Sequence, residues 1–294
     1  VHPITGPEEV PLFCRPPYVL NDEVADDLAA GRRRPERLWV ALRDDRLVAR
    51  VGWWGRAGED APFLLDIFDT EDVVVGEHLL RTAMASAAPA RPHYLRTVTA
   101  EWRTDPATTR CVAALERTGA WLLAERVRFE WRPGTPVPPS SGRLVFRSVR
   151  DTGEILDLMT RALDGTLDAH SLDDLTRLPP RAAATRHFDD ELARFHSPRS
   201  WWRVATLPGG EPVGFITPGR NDYNAVIGYP AVLPEHRGNG YINDLLAEAT
   251  RILAAQGVPR IRAATDLDNT PMAAAFTRAG YLDVERTIVM AWSK

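Results

Sequence analysis

The sequence predicts an α/β chain with mixed sheet, built as two tandem units of which the first is truncated and degenerate. Three observations predict it. Strand-like and helix-like segments alternate from Arg143 to the C-terminus. The stretch "RTGAWLLAERVRFEW" returns as "RAGYLDVERTIVMAW", with Gly119 and Gly280 separated by 161 positions and Trp131 and Trp292 by the same 161. "LWVALRDDRLVARVGWW" likewise mirrors "WWRVATLPGGEPVGFIT" at an offset of 163 when Trp39 is set on Trp202. Anchors at nearly one offset are the mark of an internal repeat.

The elements follow in order. Residues 1–133 form the degenerate unit, with too little chain ahead of its repeated strands for a full opening strand and helix. Residues 134–142, within "RPGTPVPPSSG", read as a linker, because prolines hold it extended and remove ladder donors. In 143–294, "RLVFRSVR" alternates as a strand, and "DTGEILDLMTRAL" is a helix capped by Asp151 or Thr152 with apolar spacing at Ile155, Leu158, Met159 and Leu163. "LDGTLDAHSLDDL" reads as helix-poor, a helix follows from about Arg181 to Phe195, and Trp201-Trp202 open a hairpin turning at Pro-Gly-Gly. Then come a strand "NAVIGYPAVL", a helix ending at Gly257, a strand "RIRAATDL", and a short helix with Pro271 in its first turn and Gly280 closing it. "YLDVERTIVMAW" is a strand pair or one bent strand.

Composition narrows the function. With 44% hydrophobic and 26% charged residues the chain is that of a globular protein with ample core. No apolar run reaches the roughly 18 residues of a membrane span, and the first ten residues lack the regions of a signal peptide, so the reading is cytoplasmic, with no membrane partner. A net charge of −4 argues against nucleic acid. Two cysteines and seven scattered histidines offer no metal-ligand spacing, so no metal is expected. Monomer and homodimer stay equally open.

The chemistry centres on "AVLPEHRGNGYINDLL", Ala231–Leu246. Arg237-Gly238-Asn239-Gly240 stands between a buried-looking strand and a helix. Exposed amides of a first helical turn and the helix dipole make an anion site. Glycines let phosphate oxygens reach those amides, and Arg237 adds a charge-assisted donor.

"V-L-P-E-H-R-G-N-G", then a helix, a strand and "D-N-T-P-M-A-A-A-F-T-R-A-G-Y", resembles the GNAT superfamily of acyl-CoA-dependent N-acetyltransferases. The likeness covers Arg143 to Lys294 well and Trp39 to Trp131 weakly. A silent first unit before a working second one is similar to the layout of the mycothiol synthases. The resemblance implies acetyl-CoA as acyl donor. Ala231, Val232 and Leu233 would hold its pantetheine arm, and His236, Arg237, Gly238, Asn239, Gly240, Tyr241 and Ile242 its diphosphate. Asn269 would cap its helix and touch the cofactor, and Arg278 would reach the adenosine phosphates or lie exposed.

Two departures matter. Where the superfamily reads Q/R-x-x-G-x-G/A, this chain places Ile242 last when the count starts at Arg237. And where many relatives carry a tyrosine that protonates the departing thiolate, this chain has Phe276. Tyr229, Tyr241 or water would then donate, or the thiolate leaves unaided. In the first unit "DTEDVVVGEHLL" offers Glu71 and Asp72 where phosphate would sit, so one acyl-CoA site is expected, not two.

Acyl transfer also needs a neutral amine and a polarised carbonyl. Backbone N–H groups near Ala231 and Val232 are the candidate polarisers, with Pro230 breaking the ladder beside them. Asp266, Asp268 and Asp222 are candidate bases, Tyr229 a partner, and His236 a turn residue near phosphate. Asp164, Asp168 or Asp173 would recognise a cationic amine. The expected reaction is acetyl transfer to the amine of a small molecule such as an amino sugar, an amino acid or a natural-product amine; the rivals are other acyl-CoA chemistry on this fold and a non-catalytic acyl-CoA sensor.

Overall fold

The computed structural model describes residues 1–87, 89 and 91–292. The chain forms two compact units, Val1–Glu125 completed by the segment from Arg286, and Arg126–Glu285.

The first unit holds β1 (His2–Pro3), α1 (Val10–Phe13), α2 (Val24–Ala29), β2 (Leu38–Arg43), β3 (Arg46–Trp54), β4 (Leu64–Thr70), α3 (Val73–Ala87), β5 (His93–Val98) and α4 (Pro106–Arg117). It also takes the start of β6 (Ala120–Trp131). Its sheet runs β1-β2-β3-β4-β5 and is completed by the second half of β12 (Leu282–Trp292), antiparallel to β5 with Ile288 opposite Arg96.

The second unit begins with the rest of β6. It continues with β7 (Val145–Ser148), α5 (Thr152–Ala162), α6 (Ala169–Leu175), α7 (Pro180–Asp190), β8 (Arg203–Thr206), β9 (Pro212–Arg220), β10 (Ala225–Val232), α8 (Tyr241–Ala254), β11 (Ile261–Asp266) and α9 (Thr270–Arg278). Its strand order is β6-β11-β10-β9-β8-β7, with β10 and β11 parallel and the other pairings antiparallel.

These units do not follow the division at 134–142. The chain changes unit inside β6, between Glu125 and Arg126, and again inside β12, between Glu285 and Arg286. The repeat explains why. β6 and β12 are the strands that recur at the 161 offset, and each pairs with the other copy's penultimate strand, β6 with β11 and β12 with β5. The proline-rich stretch is part of the second unit, where Ser141 N–H and the Arg143 guanidinium hydrogen-bond to Asp244 of α8 at 3.3 and 2.8 Å.

Local signals act as their chemistry dictates. Asp151 caps α5 through Glu154 N–H at 2.8 Å, and α5 buries Ile155, Leu158, Met159 and Ala162, the i, i+3, i+4, i+7 stripe of a half-buried helix. With α7 this stripe covers one face of the sheet, over Phe215, Trp202 and Leu233. The other face carries Leu245, Leu246 and Leu253 of α8 and Phe276 of α9 against Phe129, Ile227 and Ile261. Removing Leu, Ile or Phe side chains from such a core to Ala typically costs about 2–5 kcal/mol each.

Two local expectations change, and a third is narrowed to one of its alternatives. Leu163–Leu175 is not helix-poor: Asp168 accepts Ser171 N–H at 2.8 Å and thereby starts α6. Trp201 lies in a single 3-10 turn, Arg199–Trp201, and β8 begins only at Arg203, leaving Trp202 buried beneath it. β12 is one continuous strand.

Candidate active site

β10 and β11 separate. They pair only at Ala225–Ile261 and Val226–Arg262, after which no register joins them among the described residues. β10 meanwhile stays on β9 to Val232, but its register shifts between Ile227 and Pro230, a bulge at Gly228-Tyr229. Pro230 lacks a donor, which fits a strand leaving its neighbour. Glycine at 228 is required by packing: a Cβ there would lie 2.6 Å from both the Phe195 ring and the Thr217 carbonyl.

The bulge directs backbone groups. Leu233 N–H donates to Val213 O of β9 at 2.8 Å. Alternation then turns the peptide groups of Val232 to the open edge, and Arg237 Nε indeed reaches Val232 O at 3.2 Å from that side. Of the three strand residues expected to hold a cofactor arm, Val232 faces the gap. Ala231 shares its pairing with Phe215, and Leu233, fully buried, has its N–H committed to β9.

Gly238 and Gly240 have φ of +82° and +73°, left-handed values that disfavour any residue with a Cβ. Gly240 is the N-cap of α8. Among the described residues no protein acceptor is recorded for the N–H groups of Gly238, Asn239, Gly240, Tyr241 and Ile242. That is an anion cradle in geometry and polarity. Asn239 Nδ2 and Asn243 Nδ2 brace the turn from within, on His236 O at 3.1 Å and Gly240 O at 3.0 Å. Ile242 is half-buried against the α8 core, which answers the motif departure there, since its side chain packs inward.

Arg237 has another role than the one its sequence suggests. Its guanidinium donates to Asp164 O, Gly165 O and Ala162 O at 2.6, 3.0 and 2.8 Å, as well as to Val232 O. It caps the C-terminal end of α5 and ties the loop to it, a place where the helix dipole favours a cation. Its donors are therefore directed at main-chain carbonyls rather than outward. His236 is half-buried, with Nε2 3.1 Å from Glu211 Oε1 and its ring 6.4 Å from Tyr241. Arg278 is exposed and donates to Asn243 Oδ1 at 3.1 Å, which places it beside the cradle. Asn269 caps α9 through Met272 N–H at 3.3 Å.

Phe276 corrects the sequence reading most plainly. It is 1% exposed, stacked on Phe129 at 5.1 Å and tilted against Tyr281 at 5.4 Å, so it is core rather than a wall of the gap. Tyr241 lies under the Arg143 guanidinium at 4.9 Å. Among the described residues no contact joins Tyr241 to the acidic groups described next.

Tyr229 and Asp266 both lie within electrostatic reach of Asp168. Tyr229, on the bulge, packs between Phe215 and His187 at 5.2 and 5.0 Å. Burial, reinforced by Asp168, holds its phenol well above the ordinary range, so it stays protonated at neutral pH. Asp266 ends β11, 4% exposed; its Oδ2 accepts Ala169 N–H at 2.7 Å and its Oδ1 lies 3.1 Å from Arg126 Nε. Burial, with the neighbouring Asp168, raises its carboxyl above the usual carboxylate value. Asp168 is pushed the same way by burial, but Arg126, His170 and the Ser171 hydrogen bonds outweigh that and hold it low.

Sequence spacing missed two members of this cluster, His170 and Arg126. Ligand atoms of Asp168, His170 and Asp266 all lie within 4.8 Å of one another. Arg126 places a positive charge beside these carboxylates, its Nε 3.1 Å from Asp266 Oδ1, while Asp266 Oδ2 accepts Ala169 N–H at 2.7 Å. His170 also lines a small cavity with Ser171, Asp174, His187 and Tyr229. The remaining acidic candidates lie elsewhere. Asp222 precedes β10, at the end opposite the loop, and pairs with His196 at 2.5 Å; Asp268 is exposed; Asp173 binds Arg177 at 2.8 Å; Asp164 is exposed and contributes its carbonyl to Arg237.

In the first unit the corresponding places are filled by the chain itself. β4 and β5 share a single register pair, Leu65–Tyr94. Beyond it Arg96 donates to Phe68 O at 2.8 Å and to Asp69 Oδ1 at 3.0 Å, and Arg110 to Thr70 O at 3.0 Å. The loop is short, and Asp72 Oδ1 accepts Val74 and Val75 N–H at 2.9 and 3.0 Å, which lowers its pKa. A carboxylate of the protein thus occupies the amides that the second unit leaves open.

Residues 169–281 match the family model described as the acetyltransferase (GNAT) family. Among solved structures the chain is similar to a GCN5-related N-acetyltransferase from Sphaerobacter thermophilus, at 17% identity and TM-score 0.57, covering 92% of this chain and 84% of that one. It is also similar to a GCN5-related N-acetyltransferase from Kribbella flavida, at 13% identity and TM-score 0.52, covering 94% and 96%. A tandem GNAT protein from the clavulanic acid biosynthesis pathway aligns at 17% identity and TM-score 0.49 over 86% and 81%. None of the curated proteins compared matches the chain.

Proposed function

Because residues 169–281 match the GNAT acetyltransferase family model, we propose that the second unit moves an acetyl group from acetyl-CoA to the amine of a small molecule. The observation that carries this reading is the pairing of two open backbone surfaces, the unpartnered amides from Gly238 to Ile242 and the edge of β10 freed by its separation from β11.

Each surface has a task. The amides and the α8 dipole hold a diphosphate, with Arg278 beside them and Arg237 keeping the loop in shape. The open edge at Val232 offers main-chain groups to the amide-containing arm. Acetyl-CoA supplies the activated acyl carbon. Near the bulge, a backbone donor polarises the carbonyl and the protonated Tyr229 stands in for the tyrosine absent at Phe276. The cavity beside Tyr229, framed by α5, α6 and α7, gives the acceptor its side of entry.

Calorimetric titration with acetyl-CoA tests this. One site per chain is expected, lost in Gly238→Val/Gly240→Val, because both glycines need positive φ. Thiol release with a panel of small amines should follow in the wild type. Two equal sites, or binding indifferent to the glycine changes, would remove the basis of the proposal.

A further inference from the structure

We propose that His170 is the catalytic base that removes a proton from the acceptor amine, and that Asp168 is the positioning residue that holds it. The proposal rests on the acyl-transfer reading above and adds to it the group that faces the acyl carbon from the acceptor side.

His170 alone belongs to both features of that region. Its imidazole lies within 4.8 Å of the Asp168 and Asp266 carboxylates, and it lines the cavity whose wall includes Tyr229 of the β10 bulge. The long-range geometry is fixed by backbone, since Ala169 N–H donates to Asp266 Oδ2 at 2.7 Å and so pins the start of α6 to the end of β11. Asp168 is itself fixed, accepting Ser171 N–H at 2.8 Å. The charged and titratable groups around His170 are Asp168 and Asp174 of the α6 segment, Asp266 of β11, Arg126 of β6, His187 of α7 and Tyr229 of β10.

The alternatives within the cluster are weaker bases for this task. Asp266 accepts Ala169 N–H on Oδ2 and faces the Arg126 charge on Oδ1, and Asp168 accepts the Ser171 N–H of α6. An imidazole changes charge between pH 5 and 8, the range in which an alkyl ammonium must be relieved of a proton without the base being permanently charged. The step balances. Neutral His170 accepts one proton from the substrate ammonium and passes it to water. The freed amine lone pair forms the C–N bond, the C–S bond breaks with its electron pair on sulfur, and the second amine proton ends on that thiolate.

Bromoacetyl-CoA tests this on the intact chain without knowledge of the acceptor, because it presents an electrophilic carbon at the acetyl position. An imidazole nitrogen there displaces bromide and forms a C–N bond. Peptide mapping of the wild type should place the adduct on His170, with labelling suppressed by excess coenzyme A. The labelling rate should rise about tenfold per pH unit and then level off, as the neutral imidazole fraction does. Asp168→Asn removes the carboxylate that favours the imidazolium, so the midpoint of that profile should move down by about one unit, a readout that a merely structural role for Asp168 would not move. An adduct on another residue, or none although calorimetry shows coenzyme A bound, would overturn the assignment of His170. Failure to bind coenzyme A at all would overturn the acyl-transfer reading instead.

Discussion

Arg237→Ala distinguishes a brace from an anion ligand. In the structure the guanidinium meets four main-chain carbonyls, those of Ala162, Asp164 and Gly165 at the end of α5 and that of Val232 on β10. A hydrogen bond from a charged donor contributes about 1.5–3 kcal/mol when shielded from water. Here the side chain is exposed and the four bonds share one group, so they do not add. About 2 kcal/mol for the whole set is the expected loss, or about 4–8 °C in the melting midpoint for a unit of this size. Differential scanning calorimetry of Arg237→Ala should show that drop. Titrations should then find coenzyme A and a phosphate-free pantetheine fragment weakened by similar factors, because the loop and the edge of β10 loosen together. An unchanged midpoint with coenzyme A weakened and pantetheine unaffected would refute the brace and restore Arg237 as a direct diphosphate ligand.

Further outcomes follow from other sites. Phe276→Tyr adds a hydroxyl to a ring that is 1% exposed; unpartnered, it costs about 1–3 kcal/mol, so denaturant midpoints should fall while turnover changes by less than about threefold, and a many-fold gain in rate would show that the ring edge reaches the sulfur. Tyr229→Phe should slow transfer by about tenfold or more if its phenol is the donor, measured as steady-state thiol release with the coenzyme A dissociation constant unchanged. Glu154 accepts two bonds from Arg147, at 3.0 and 2.6 Å, and one from the Arg150 N–H at 2.8 Å, and those Arg147 bonds lead in lowering its carboxyl to about 2. Its folded pKa is depressed, so its stabilisation is present above about 4.5 and is lost as pH falls towards 2. Glu154→Gln should therefore be less stable than wild type at pH 7 in urea melts, with the gap closing below pH 4; a gap independent of pH would contradict the pairing.

What could be read from the sequence was local. Gly238 and Gly240 announced themselves because only glycine is at ease at positive φ, and Pro230 because it cannot join a ladder. Asp72 was legible as an acid in the wrong place, and it does cap its own helix. Side-chain destinations were not legible. Arg237 shows its charge in the sequence but not the three carbonyls from Ala162 to Gly165, more than seventy positions away, that receive it. His170 looked like one of seven scattered histidines, because the carboxylate that completes its surroundings arrives with Asp266 on β11. Phe276 occupied the motif position expected of a cofactor contact, yet its neighbours Phe129 and Tyr281 make it core. The partners of β6 and β12 were ambiguous in principle, since repeated strands offer each other the same edges.

That exchange of terminal strands sets the order in which the protein can be made. On the ribosome β5 emerges with Val98, but its partner along that edge begins at Arg286, so the first-synthesised unit waits for nearly all of the second before its sheet closes. Until then β5 is an open edge, the kind of surface that recruits other chains. Cutting the gene at the proline-rich stretch would make this condition permanent: the leading fragment would lack the strand from Arg286 to Ala291, and the trailing fragment would lack the strand from Arg126 to Trp131. A nascent chain of this kind has reason to stay in the care of a holdase until translation has passed Trp292.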